Sequence, residues 1–478
     1  MKVAARVHFL AILPALLLSA QGAIAGQTVS YLPGYDGPLP FHLQTGYISV
    51  GDSELFYYFI ESEGNPVEDP LLLWLTGGPG CSSFNGFIYE VGPLEFVTEN
   101  YTGGLPKLRD YPYSWTKTAS IIFLDQPVGA GFSYSRTLKG WPTSDSVSVK
   151  QSYEFLIKWL EENPQYLKVQ LFVTGDSYSG ITIPLITKQI ADGNKNGGKP
   201  YMNLKGMFLG SPATYLIMDE NSRVDFAHRM ALISDEIYEN AKRACNESYT
   251  SADPTNTACT IAMAEITKCI KGLFSGNILQ PKCKSLSPQT QSDPLGETAE
   301  RRSLQVEEHH HHTLSHFLSS PPRFSNHPCP ATYRYIFAYA WANEDAVQKA
   351  LHVRKGTVPY WSRCNESLSY SKDIPNVVPV HEELKKLALQ VIVATGDRDM
   401  VVPFVGTIKW IKFLNLTIAD YWRPWFLDGQ VAGYTEKFHE NGYYLTYATV
   451  KGAGHPAAEY QRRKCYYIFD RWVHFYPL

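Results

Sequence analysis

The sequence predicts an α/β fold built on a mainly parallel central sheet with one helical insertion, and three observations predict it. Short apolar segments recur along the chain: LLLWL (71–75) is continuous, as expected of a strand buried on both faces, and IIFLD (121–125) and QVIVAT (390–395) also read as strands. Segments with helical spacing alternate with these runs, the pattern of strand–helix–strand crossovers. Several runs break abruptly into glycine-rich turns carrying polar side chains, and the C-terminal strand ends of open α/β sheets are where ligands bind.

Residues 1–25 stand apart. Lys2 and Arg6 precede the apolar run FLAILPALLLSA, and Ala23-Ile24-Ala25 before Gly26 fits a small-x-small cleavage site, so the stretch reads as a secretory signal peptide. Pro14 interrupts the run, which is short for a membrane span. No later stretch has the apolar length of one. A soluble mature protein of the secretory pathway is expected, in the vacuole or outside the cell, with no membrane partner after cleavage. Four N-x-S/T sequons, at Asn100, Asn246, Asn365 and Asn415, agree with that route as glycosylation sites. Eight cysteines are then expected to be partly oxidised. They show no CxxC pair and no metal-ligand spacing with nearby histidine, so no metal is expected. A formal charge of −3 over 478 residues, 44% of them hydrophobic, leaves ample core and nothing that favours nucleic acid.

Taken in order, residues 27–40 are an irregular Gly/Pro-rich lead-in. Tyr47–Val50, the turn Gly51-Asp52-Ser53 and Leu55–Ile60 read as a β-hairpin. The strand 71–75 ends in Thr76-Gly77-Gly78-Pro79-Gly80-Cys81-Ser82-Ser83, whose glycine density leaves backbone N–H groups unshielded, one of them a candidate oxyanion donor. The strand 121–125 runs into Gln126-Pro127-Val128-Gly129-Ala130-Gly131. A helix starts near Ser144, puts Val149, Tyr153, Leu156 and Leu160 on one face, and stops at Asn163-Pro164. Leu171–Val173 then meets Gly175-Asp176-Ser177-Tyr178-Ser179-Gly180 and a helix in which Pro184 implies a kink or early shortening. Strand, sharp turn carrying a serine, then helix is the context of a nucleophile elbow. A glycine-flanked serine alone is common in ordinary turns, so the elbow reading depends on partner side chains later in the chain. Met207–Leu209 is a further strand, closed by Gly210-Ser211-Pro212.

The character changes between about 215 and 328. Charged helical stretches carry Cys245, Cys259, Cys269 and Cys283, and a polar run rich in Ser, Pro and Glu follows, which reads as an exposed, disordered linker. Its His309–His312 tract reads as a solvated loop rather than a metal site. Core character resumes after Cys329. Gln390–Thr395 ends in GDRDMVVP (396–403), Leu445–Val450 ends in KGAGH (451–455), and a terminal helix presents Cys465, Ile468, Phe469 and Trp472 on one face. The expected organisation is a signal at 1–25, a first core part at 26–214, an insertion at 215–328 with a linker at 284–328, and a second core part at 329–478.

Three polar side chains stand at the C-terminal ends of three predicted strands: Ser177, an aspartate after 395, and His455. In a parallel sheet such ends converge on one crevice. Serine is a poor nucleophile until a histidine accepts its proton, and a carboxylate fixes the imidazole tautomer and stabilises its cation. The order Ser, Asp, His is that of α/β-hydrolases, whose chemistry needs no cofactor. Asp397 and Asp399 compete for the carboxylate role. Asp399, three residues past Gly396, is assigned to the site and Asp397 to the turn.

WLTGGPGCSS (74–83), DQPVGAGFSYS (125–135), GDSYSG (175–180), GDRDMVVP (396–403) and GAGH (452–455), in that order, resemble the serine carboxypeptidase family over essentially the whole mature chain. The resemblance implies an α/β-hydrolase fold with a helical cap over 215–328, whose linker some members lose by proteolysis to give two disulfide-linked chains. It implies oxyanion donors at the backbone N–H groups of Gly78 and Tyr178, substrate contacts at Thr76, Gly77 and Asp176, and disulfides Cys81–Cys364, Cys245–Cys259 and Cys283–Cys329. Cys269 and Cys465 are left without a partner. Two positions depart from the peptidase pattern, in which an Asn before the double glycine and a Glu before the nucleophile hold the substrate's terminal carboxylate. Here those positions are Thr76 and Asp176; threonine offers no amide N–H₂, and aspartate withdraws its carboxyl by one methylene. Both changes, with Ser179 and Gly180, look like the plant serine carboxypeptidase-like acyltransferases, which move an acyl group from a β-glucose ester to an acceptor hydroxyl or amine. The expected function is therefore acyl transfer through acyl-Ser177, from a 1-O-β-glucose ester of an acyl group, usually aromatic in that family, to a small-molecule acceptor. The alternative is a secreted or vacuolar serine carboxypeptidase. Pro456, directly after the histidine, is a further departure from related enzymes and bears on the acceptor side.

Overall fold

The computed structural model describes residues 26–99, 101–250, 255–283 and 333–478. The expectations for 1–25, for Asn100 and for 284–328 with its histidine tract lie outside the described residues.

Among the described residues the central sheet runs Gln27–Val29, Leu43–Val50, Ser53–Ile60, Ser120–Leu124, Leu71–Leu75, Leu171–Asp176, Leu204–Gly210, Gln390–Gly396, Tyr443–Val450, Gln430–Glu440, Thr417–Leu427. The six strands from Ser120–Leu124 to Tyr443–Val450 are mutually parallel. The hairpin Leu43–Ile60 and the strands from Thr417 to Glu440 add antiparallel margins. The α/β-hydrolase fold expected from the sequence is the one observed.

Every residue of Leu71–Leu75, Leu171–Asp176 and Gln390–Gly396 is buried, because apolar layers cover both sheet faces. One layer gathers Phe155, Leu156 and Trp159 from the helix Asp145–Glu162, Ile183, Ile186 and Ile190 from Ser179–Lys195, and Trp410 from Phe404–Phe413. The other gathers Phe337 and Trp341 from Tyr335–Ala342 with Ile468, Phe469 and Trp472 from Arg462–Val473. Trp115 stacks on Phe469 with ring centroids 4.1 Å apart. Asp145–Glu162 begins where expected, its Ser144 hydroxyl accepting the Val147 N–H, and ends at Asn163.

One expectation is corrected. The helix after the elbow is not shortened by Pro184 but continues to Lys195. A proline inside a helix costs about 3 kcal/mol, whereas each buried isoleucine contributes about 1.5–3 kcal/mol. Ile183, Ile186 and Ile190 together outweigh the lost bond. The strands Thr417–Leu427 and Gln430–Glu440 carried no recognised signal. Their register shifts at Ile418/Asp420, Asp420/Arg423 and Trp425/Phe426 break the two-residue alternation on which such a reading depends.

Between Gly210 and Tyr335 the described chain forms the helices Leu216–Arg229, Asp235–Cys245 and Thr257–Ile270, which share a small core containing Val224, Ala227, Ala241 and Ile266. The Cys245–Cys259 bridge staples two of them, and Cys81–Cys364 joins the core's two halves. Cys283 is disulfide-bonded, and its expected partner Cys329 lies outside the described residues. Cys269 is a free, exposed thiol and Cys465 a free, buried one. Among the described residues no helix is long and apolar enough to cross a membrane.

Candidate active site

The strand Leu171–Asp176 lies between Leu71–Leu75 and Leu204–Gly210, so its C-terminal end opens at the middle of the sheet. Ser177 follows at φ 56°, the left-handed region that few non-glycine residues occupy. Three bonds hold it there: its N–H donates to the Gly210 carbonyl at 2.7 Å, and its carbonyl accepts the N–H groups of Gly180 at 3.0 Å and Ala213 at 2.9 Å. A Cβ at Gly180 would stand 2.4 Å from the Ala213 carbonyl oxygen, so only glycine lets the helix start this close.

The structure brings Ser177, His455 and Asp399 into one hydrogen-bonded chain. Ser177 Oγ lies 2.7 Å from His455 Nε2, and His455 Nδ1 lies 2.7 Å from Asp399 Oδ2. Asp399 is fully buried, and its Oδ1 accepts the N–H groups of Val401 at 2.8 Å and Val402 at 3.0 Å, which fixes the carboxylate's orientation. Asp397 turns elsewhere and accepts the Gly452 N–H at 2.7 Å, tying together the turns that follow Gln390–Gly396 and Tyr443–Val450. Burial opposes charge on His455, but the carboxylates of Asp399, Asp176 and Glu459 outweigh it and raise the imidazole pKa above 6.5. Such a chain can draw the proton from a serine hydroxyl and hand it to a leaving group.

The Thr76–Ser83 turn lies against the elbow. A Cβ on Gly77 would meet both Ser177 Cβ and the Tyr178 nitrogen at 2.6 Å. Among the described residues the N–H groups of Gly78 and Tyr178 have no hydrogen-bond partner, and Tyr178 directly precedes the helix Ser179–Lys195. Free donors beside a serine, at a helix N-terminus, suit a developing oxyanion. Thr76 Oγ1 accepts the Trp74 indole N–H at 3.1 Å, and Asp176 Oδ1 accepts the Gly77 N–H at 3.3 Å. Burial pushes the Asp176 carboxyl up to about 7, aided by Glu459 and opposed by His455 and the Gly77 N–H.

Two carboxylates were missed in the sequence. Glu90 is buried, and burial together with the charges of Asp176 and Glu459 holds its pKa far above the ordinary range. Its Oε2 has no hydrogen-bond partner among the described residues. A lone acid inside the apolar stretch FIYEV was the available signal, since a charge is buried only where something compensates it. Glu459 accepts from the Arg334 guanidinium and the Tyr335 hydroxyl, and Arg363 stacks 4.1 Å over the Tyr335 ring. Pro456 is buried and opens the short helix Ala457–Tyr460. Of the described sequons, Asn246 and Asn415 are exposed, whereas the Asn365 amide donates to the Gly129 carbonyl at 3.0 Å and accepts the Ser367 N–H. Among the described residues no cluster of His, Cys, Asp or Glu is arranged to hold a metal.

A family model described as serine carboxypeptidase matches residues 33–475. Serine carboxypeptidase-like 17 of Arabidopsis thaliana is 45% identical over 466 residues, covering 97% of this chain and 96% of that protein. Serine carboxypeptidase-like 14 of the same plant is 43% identical over 472 residues, covering 98% of each. The structure of Kex1(delta)p, a prohormone-processing carboxypeptidase from Saccharomyces cerevisiae, superimposes with a TM-score of 0.67 at 19% identity, covering 95% of both chains, and shows the same fold.

Proposed function

The chain belongs to the serine carboxypeptidase family, and on that premise we propose that it is an acyltransferase, moving an acyl group from a 1-O-β-glucose ester to an acceptor hydroxyl or amine through acyl-Ser177. The observation that carries this reading is the pair Thr76 and Asp176. A peptide's terminal carboxylate wants donors. The Thr76 oxygen already accepts from Trp74, and the Asp176 carboxyl accepts the Gly77 N–H and interacts with His455 and with the acids Glu459 and Glu90. Sugar hydroxyls both donate and accept, so the acid pair Glu90 and Asp176 suits them. The unpartnered Oε2 of Glu90 belongs to a carboxyl that burial keeps protonated, able to donate to or accept from a sugar hydroxyl.

The steps are those of a double displacement. Ser177 Oγ attacks the ester carbonyl as His455 Nε2 takes its proton, and the N–H groups of Gly78 and Tyr178 hold the oxyanion. The C–O bond to glucose breaks, and the sugar leaves with the proton from His455. The acceptor gives its proton to the same nitrogen as it attacks the acyl carbonyl, and Ser177 is restored. We place the mature protein in the vacuole or extracellular space, glycosylated and cut within 284–328 into two linked chains, on the strength of its leader, sequons and linker composition. Intact-mass measurement after mixing with an acylglucose, acceptor withheld, tests the intermediate. One acyl mass on the wild type and none on Ser177→Ala is expected; acylation of both, or of neither with every ester tried, would remove the reading.

A further inference from the structure

Asp145 is not part of the Ser177–His455–Asp399 chain, yet it is fully buried on the first turn of the helix Asp145–Glu162. Its Oδ1 accepts two phenolic hydroxyls, from Tyr178 at 3.0 Å and from Tyr370 at 2.7 Å, and its Oδ2 accepts the Ile374 N–H at 2.9 Å. The two tyrosine rings meet edge to face, with centroids 6.1 Å apart. Less than one turn further, Ser148 donates to the Gln126 side-chain carbonyl. Tyr178, Tyr370 and Gln126 all line the small niche beside the elbow. One helix end thus grips three of the side chains that shape it.

A buried carboxylate with no bonded cation costs free energy, which three donors and a helix N-terminus offset here. What those donors secure is Tyr178, the residue whose free N–H stands beside Ser177. Pinned by its hydroxyl, the side chain resists rotation of its own peptide plane. We propose that Asp145 is a positioning residue for acyl-enzyme formation: through the Tyr178 hydroxyl it aims the Tyr178 N–H at the developing oxyanion. Tyr370 and Ile374 orient the carboxylate for that task. This role presupposes the acyl-Ser177 chemistry proposed above and is indifferent to what later attacks the acyl group.

Tyr178→Phe removes the hydroxyl while keeping the ring and the backbone N–H. The measurement is single-turnover acylation of the full chain by a p-nitrophenyl ester, with ester affinity and Tm determined alongside. Loss of one oxyanion donor costs about 10²–10³-fold in rate, so displacement rather than loss is expected to cost about tenfold. Tyr178→Phe should slow acylation by that factor with ester affinity and Tm nearly unchanged. Asp145→Asn should slow it at least as much, and the double variant should be no slower than Asp145→Asn alone, because both changes cut one tether. Ser177→Ala must abolish the burst; a burst that persists there sinks the acyl-serine reading itself. If Ser177→Ala is inert while Tyr178→Phe acylates at the wild-type rate, or loses only affinity or only Tm, the positioning role is overturned. Should Asp145→Asn fail to fold, Tyr178→Phe decides alone.

Discussion

His455 sits among three carboxylates, and its titration is set by them. Burial disfavours the imidazolium, while Asp399, Asp176 and Glu459 favour it and prevail. Chemistry needs the neutral ring, so the acid limb of kcat/KM should report this raised pKa. Asp176, raised to about 7, is partly ionised over that range, so Asp176→Asn takes away part of a negative charge, the imidazolium becomes less stable, and the limb should move modestly to lower pH. A limb that stays put or rises would contradict that assignment; the pH profile decides even if the variant is slow. The two aspartates of GDRDMVVP separate on the same grounds. Asp399 bonds the imidazole directly, and its replacement by Asn should lower kcat by about 10⁴-fold through the wrong tautomer. Asp397→Asn loses a bond to the Gly452 N–H and should cost far less. Steady-state rates of the two variants give the ranking, and its reversal would exchange their roles.

The elements that frame the site were legible because each is locally encoded. Leu71–Leu75, Leu171–Asp176 and Gln390–Gly396 are buried on both faces and read as plain apolar runs, and the turns after them announce themselves by glycine. Pairings between distant segments leave no local pattern. The repulsion between Glu90 and Asp176, the Glu459–Arg334 ion pair and the Asp145–Tyr370 hydrogen bond are all interactions of that kind, and the structure was needed to find them. The bulged margin from Thr417 to Glu440 escaped for the opposite reason, its local pattern being scrambled. Where the Thr76–Ser83 turn meets the elbow, Gly77 leaves no room for a side chain. A methyl there would press on Ser177 Cβ and the Tyr178 nitrogen, both fixed by the elbow. Gly77→Ala is therefore expected to slow acylation by about 10²-fold or more, the magnitude of a lost oxyanion donor, with circular dichroism unchanged. A variant acylating at the wild-type rate would show that the turn yields freely.

Across the whole molecule, the Cys81–Cys364 bridge joins positions 283 residues apart and anchors the turn that carries Gly77 and Gly78. A loop of that length makes removal worth up to about 5 kcal/mol in chain entropy, so Cys81→Ser with Cys364→Ser should lower the denaturation midpoint. It also binds the two pieces that a cut within 284–328 would leave. On a gel the cleaved protein should stay together without reductant and part with it; separation without reductant would show the bridge unformed. In transfer, water competes with the acceptor for the acyl-enzyme, so a transferase must hold its acceptor at an effective molarity of about 10⁵ M or more to outrun it. The direct measurement is the ratio of acylated acceptor to free acid released from an acylglucose at saturating acceptor, run beside release of amino acid from a blocked dipeptide. Acylated acceptor in excess, with slow hydrolysis when acceptor is withheld and little peptide cleavage, is expected. Efficient release of C-terminal amino acids, with no acylated product from any glucose ester tried, would show a carboxypeptidase instead.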